Sequence, residues 1–121
     1  MRAYLLARLH DPSGPVAADV LEYLERVQST LDPFGGRFLV HGGAVAVKEG
    51  SWPGGVVLVE FPSLRHAEEF YDSPAYRDIK PLRTAHIEGD LILVEGCGPG
   101  HDAANVAAAL RAEVPAFQDD P

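Results

Sequence analysis

Ala3–Leu9 (AYLLARL) is a short apolar run free of Gly and Pro, closed by Asp11, Pro12, Ser13 and Gly14, and it predicts a buried strand. Over 16–31 the period changes. Val16, Val20, Leu24, Val27 and Leu31 recur at spacings of four, four, three and four, with Asp19, Glu22, Glu25 and Arg26 between them. This is the stripe of an amphipathic helix of about four turns. Ser13 is its expected N-cap with Pro15 in the first turn, and Pro33, Gly35 and Gly36 are its stop.

Arg37–His41 (RFLVH) predicts a second strand, and beyond Gly42 and Gly43 the residues 44–49 predict a short extended piece folding back beside it. The segment 56–61 (VVLVEF) is rich in β-branched residues and stopped by Pro62, which predicts a central strand. Ser63 then caps a helix with Leu64, Ala67, Phe70 and Tyr71 on its apolar face, ending near Asp72. Ser73 and Pro74 open a further helical stretch in which Tyr76, Ile79 and Leu82 recur every third residue and which Pro81 is expected to break or tighten. The last core strand is expected at 88–95 (EGDLILVE), before Gly96, Gly98, Pro99 and Gly100. From His101 the chain is alanine-rich, a helix former of little bulk, and Gln118 to Pro121 are expected to fray.

The order strand, helix, strand, strand, helix, strand predicts an α+β, ferredoxin-like βαββαβ fold. Right-handed crossovers give it a four-stranded antiparallel sheet with both helices on one face. Residues 1–96 form this domain and 97–121 a helical, partly flexible tail. The helices cover one face of the sheet, yet 56–61 carries Val57, Val59 and Phe61 on one side and Val56 and Leu58 on the other. A second copy packed sheet to sheet is the simplest cover, so a homodimer is expected.

The 121 residues fit one domain, and 46% apolar with 23% charged residues is an ordinary globular composition. A net charge of -8 argues against a phosphate backbone as partner. No apolar stretch approaches the roughly 20 residues of a membrane span, and the N-terminal run is too short for a signal-peptide core, so a cytoplasmic location is expected. Cys97 is the sole cysteine, which excludes an internal disulfide and multi-cysteine metal sites. His10, His66, His86 and His101 show no ligand spacing, so no metal is expected, and without phosphate-cradling or dinucleotide motifs no cofactor is either.

GGRFLVHGG at 35–43, VLVEFPS at 57–63, FYDSPAY at 70–76 and DLILVEG at 90–96 resemble the domain of unknown function 1330. His41 stands where that resemblance leads one to expect Arg. The family is similar to the dimeric α+β barrel superfamily, which includes small cofactor-independent monooxygenases, muconolactone isomerases and dye-decolourising peroxidases. The resemblance implies a dimeric barrel and transfers no reaction.

Alternation along the strands puts Tyr4 with Arg8, Arg37 with His41, and Glu60 with Leu58 on single faces. If the three faces coincide, these polar groups meet around a partly apolar cavity suited to a small ligand. Arg37 is the first choice for substrate binding, with Arg8 and Tyr4 beside it, because a guanidinium binds a carboxylate or enolate bidentately. The plain alternative for Arg37 is a strand-end salt bridge to Glu60. His41 and Glu60 are candidate acid–base groups. Tyr71 and Tyr76 flank the Ser73–Pro74 turn and are candidates to orient a ligand, or simply pack. Two functions follow: a small-molecule binder or cofactor-independent enzyme acting on a small anionic or aromatic compound between sheet and helices, or a non-catalytic dimeric protein-interaction module.

Overall fold

A computed structural model describes residues 1–113; the fraying expected at Gln118 to Pro121 lies outside the described residues. The elements are β1 (Ala3–Leu9), α1 (Ala18–Leu31), β2 (Arg37–His41), β3 (Gly55–Phe61), α2 (Leu64–Asp72), α3 (Pro74–Thr84), β4 (Gly89–Glu95) and α4 (Ala103–Glu113). A 3-10 turn at Asp32–Phe34 ends α1, and Gly35, at φ 70°, supplies the left-handed residue that releases the chain toward β2. The strands pair antiparallel in the order β2-β3-β1-β4, as the ferredoxin-like reading predicts. No helix among the described residues is long and apolar enough to cross a membrane.

The core lies on one side of this sheet. Leu5 and Ala7 of β1 and Val59 and Phe61 of β3 form one cluster with Val27 and Leu31 of α1, Ala67 and Phe70 of α2, and Tyr76 and Ile79 of α3. The other side is bare: Ile92 is 53% and Val94 43% exposed. On it stand the side chains that the alternation of β1 and β3 turns away from the helices, among them Tyr4, Leu6, Leu58 and Glu60.

Several local expectations change. Helix α1 starts at Ala18 after Ala17, which makes no side-chain cap bond, and Ser13 takes no part. A cap at Ser13 would require Gly14 to be helical directly before Pro15, the arrangement that the proline ring disfavours. The segment 44–49 forms no strand, and β2 pairs with β3 instead. Gly42, at φ 74°, turns the chain out of the ladder, and Ala44 and Ala46 give the segment little apolar surface to fasten. Pro81 does not break α3, which runs on to Thr84. The Pro81 carbonyl still accepts from the Ala85 N–H at 3.1 Å, and burial of Ile79 and Arg83 on either side offsets the one bond the ring removes. The two serine caps hold: Ser63 Oγ accepts from the His66 N–H at 3.1 Å and Ser73 Oγ from the Tyr76 N–H at 3.3 Å.

The register of β2 decides where the chemistry sits. Arg37 pairs with Glu60, Phe38 with Val59, Val40 with Leu58 and His41 with Val57, so Leu39 is an extra residue, a β-bulge. Before it Arg37 shares the open face with Glu60; after it His41 shares the helix face with Val57.

Candidate functional site

The structure does not bring the expected polar set together. Tyr4, Glu60 and Arg37 are cross-strand neighbours on the open face. There Glu60 Oε1 accepts from Arg37 Nη2 at 3.0 Å and lies 3.5 Å from Arg2 Nη1. Arg8 is four residues along β1 from Tyr4, about 13 Å away at strand rise. Its Nη2 donates to Asp90 Oδ2 at 2.7 Å, its guanidinium lies 5.7 Å from the Trp52 ring, and its Nε is buried without a partner. These charges form separate ion pairs at the two ends of the sheet, the salt-bridge alternative for Arg37. His41 is on the other face, stacked on Phe38 with ring centroids 4.2 Å apart.

Between sheet and helices lies a cavity of about 150 Å³. Its walls are apolar: Leu5, Ala7, Val57 and Leu91 from the sheet, Val20 and Val27 from α1. Four residues of polar character reach it, namely His41, Tyr23, Tyr76 and Arg83. The last three form one cluster. Tyr23 Oη and Tyr76 Oη are 2.9 Å apart, and Arg83 Nη2 donates to Tyr76 Oη at 3.2 Å. The Arg83 guanidinium also lies over the Tyr23 ring, 5.5 Å from its centroid.

The helices place this cluster. Tyr23 stands on the inner stripe of α1 between Val20 and Val27. Tyr76 and Arg83 are two turns apart on α3, and Ser73 fixes the start of that helix by donating to the Phe70 carbonyl at 2.7 Å. Phe70 packs on the Tyr76 ring at 4.5 Å, leaving the hydroxyl free to point across to α1. Tyr71 lies outside the cavity, its ring 5.5 Å from Tyr76 and 4.8 Å from Lys80 Nζ. Burial, and then the neighbouring Tyr76, push the Tyr23 phenol well above its ordinary value, so it stays protonated near neutral pH. Burial works against the charge of Arg83, but the phenol oxygens of Tyr76 and Tyr23 outweigh it and hold the guanidinium above its usual range.

Of the residues expected from sequence, then, Tyr76 and His41 reach the cavity, while Tyr4, Arg8, Arg37 and Glu60 lie across the sheet from it. Tyr23 and Arg83 escaped that reading. The signal was there as a phenol and a guanidinium set into the apolar stripes of two helices.

A four-stranded antiparallel sheet, helices on one face and a polar-ended cavity between them define a ferredoxin-like α+β protein. The chain belongs to the family described as Domain of unknown function (DUF1330), which it matches over residues 2–97. Among solved structures it is similar to a protein of unknown function from Rhodopseudomonas palustris, 20% identical, with a TM-score of 0.61 over 81% of this chain and 84% of that one. The methylated form of that protein gives 19% identity and a TM-score of 0.56, covering 83% and 84%. At these identities the likeness is one of fold. A search of curated proteins finds no match.

Proposed function

We propose that the protein binds a small anionic or aromatic compound in the cavity between sheet and helices, and that it does so as a homodimer. The cavity carries this reading. Interiors are otherwise close-packed, so about 150 Å³ left open between sheet and helices is a departure that a guest would fill. An apolar space of this size suits a single-ring guest.

In this reading Tyr76 contacts the guest, and His41 at the cavity wall is the group available to move a proton, which would make a cofactor-independent enzyme of the binder. The exposed Ile92 and Val94 support a second copy on the open face. Tyr4, Arg8, Arg37 and Glu60 would then meet that copy rather than the ligand.

The test is a thermal-shift series of small carboxylates, phenols and single-ring aromatics on wild type and on Ala7→Leu, which fills the cavity from the buried centre of β1. A ligand at 100 times its Kd stabilises by about 2.7 kcal/mol, a shift of roughly 10 °C for a domain this size. Shifts lost in Ala7→Leu support the cavity. Silence in wild type, or equal shifts in the variant, refutes it.

A further inference from the structure

The chemistry of the guest can be narrowed, on the assumption that the cavity reading holds, by counting hydrogen-bond donors and acceptors at its polar end. Arg83 is 7% exposed, and no carboxylate among the described residues lies within ion-pairing distance of it. This is unusual in a chain with 18 Asp and Glu against 10 Lys and Arg, because buried charges are ordinarily paired. Its two neighbours at the cavity are phenols, and both approach through a donor as well as an acceptor.

A guanidinium has five N–H donors and no acceptor. One of them goes to Tyr76 Oη, the guanidinium also engages the Tyr23 hydroxyl, and no further side-chain bond to it is made among the described residues. Tyr23 and Tyr76 bring two hydroxyl protons to a single oxygen–oxygen contact of 2.9 Å. Whichever hydroxyl donates, the other proton is left without an acceptor there. The cluster therefore holds one full positive charge and a surplus of donors, at one end of a cavity whose remaining wall is almost wholly hydrocarbon.

We infer that Arg83, Tyr23 and Tyr76 form an anion receptor, and that the guest is a compact apolar molecule bearing one acidic oxygen group, a carboxylate, enolate or phenolate. Such a group supplies the missing counter-charge and accepts from the guanidinium and the free hydroxyl together. A neutral hydrocarbon would fill the cavity and leave the charge uncompensated. A dianion, a phosphate monoester included, would bring more charge than one guanidinium offsets. The specificity-determining guanidinium is thus on α3, not on the strands.

The experiment compares three probes of one shape, benzoate, benzyl alcohol and benzylamine, titrated calorimetrically into the full chain near neutral pH. Benzoate is expected to bind at least about tenfold more tightly than benzyl alcohol, with benzylamine weakest, since hydrogen bonds to a charged group are the strong ones. Arg83→Gln should weaken benzoate by roughly tenfold to a hundredfold and leave benzyl alcohol within about threefold. Tyr23→Phe, which keeps the ring, should weaken benzoate by about threefold to tenfold.

Benzyl alcohol binding as tightly as benzoate in wild type, or benzoate binding unchanged in Arg83→Gln, overturns the anion receptor and leaves the cavity reading standing. Absence of binding by all three probes overturns both. The wild-type series is decisive by itself should a variant fail to fold.

Discussion

Replacing Arg83 by Met tests whether this guanidinium is kept for a ligand or for the fold. The side chain is buried, donates one hydrogen bond to Tyr76 Oη at 3.2 Å and stacks over Tyr23 at 5.5 Å. Losing the charged hydrogen bond costs about 1.5 to 3 kcal/mol and losing the cation–π contact about 0.5 to 2. Against this, burying a guanidinium with no carboxylate beside it carries a desolvation penalty of roughly several kcal/mol that Met does not incur. Met is also unbranched, flexible and close in length, so it fills the same path with little strain. The two sides nearly cancel, and the ligand-free variant should lie within about 1 kcal/mol of wild type or above it. Urea unfolding near neutral pH, fitted with a common m-value, measures this directly. Benzoate binding, measured on the same samples, should be lost. A fall in stability beyond about 3 kcal/mol would refute the reasoning, because that is the cost of breaking a compensated buried pair.

Four further outcomes follow from the same geometry. The Tyr23 phenol titrates above its ordinary 10.0 in the folded state, so the folded chain holds a proton that the unfolded chain releases. Its stability contribution is complete below about 10 and declines as pH rises beyond it, by at most about 1.4 kcal/mol per pH unit; urea midpoints in Tyr23→Phe should show a flatter alkaline decline, and parallel curves would contradict the assignment. Ser73→Ala removes both the bond to Phe70 O and the cap on the Tyr76 N–H, and should cost about 1 to 2 kcal/mol in chemical denaturation while weakening benzoate binding. Ile92→Glu places a charge on the bare sheet face, midway along the edge strand β4, and light scattering should fall from twice 13.0 kDa to 13.0 kDa; a wild type that already scatters as 13.0 kDa ends the dimer proposal. Deleting residues 101–121 should leave the melting temperature within about 2 °C, since α4 buries none of its residues, and loss of partner capture on deletion would favour the interaction-module reading.

The strands and helices were legible because each carries its own signal: Ala3–Leu9 and the valine run of β3 have no polar interruption facing the core, and the stripe through Val20, Val27 and Leu31 keeps helical period. Two single-residue effects hid the site. In β2 the sequence RFLVH sets Arg37 and His41 four residues apart, the same face of a regular strand, and contains no glycine to mark a bulge, yet the pairing skips Leu39 and carries His41 to the opposite face from Arg37. Only the cross-strand partners decide this, and they are not in the segment. In α3 a spacing of three from Tyr76 reaches Leu82, six residues on. At about 100° per residue, however, position 83 comes within about 20° of Tyr76 and position 82 is about 120° away. Arg83 is therefore the buried residue and Leu82 only partly so. An unpaired guanidinium on a core stripe is a poor bet from composition, which is why pattern favours the leucine.

What separates the guanidiniums of this chain is whether each already has an acid beside it. Arg37 holds Glu60 at 3.0 Å and Arg8 holds Asp90 at 2.7 Å, both on the sheet face away from the cavity. A ligand carboxylate arriving at either must first displace a tethered one, gaining little beyond what the protein supplies. Arg83 has no such competitor among the described residues, and low solvent exposure makes its field stronger than that of a surface charge. The same single-residue bulge that withdraws His41 from the ion pairs turns it toward the cavity, where Arg83 stands with its two phenols. On the proposed reading, an imidazole available for acid–base work and an anion receptor share one apolar chamber, the combination needed to hold an acidic oxygen and move a proton on the carbon skeleton attached to it.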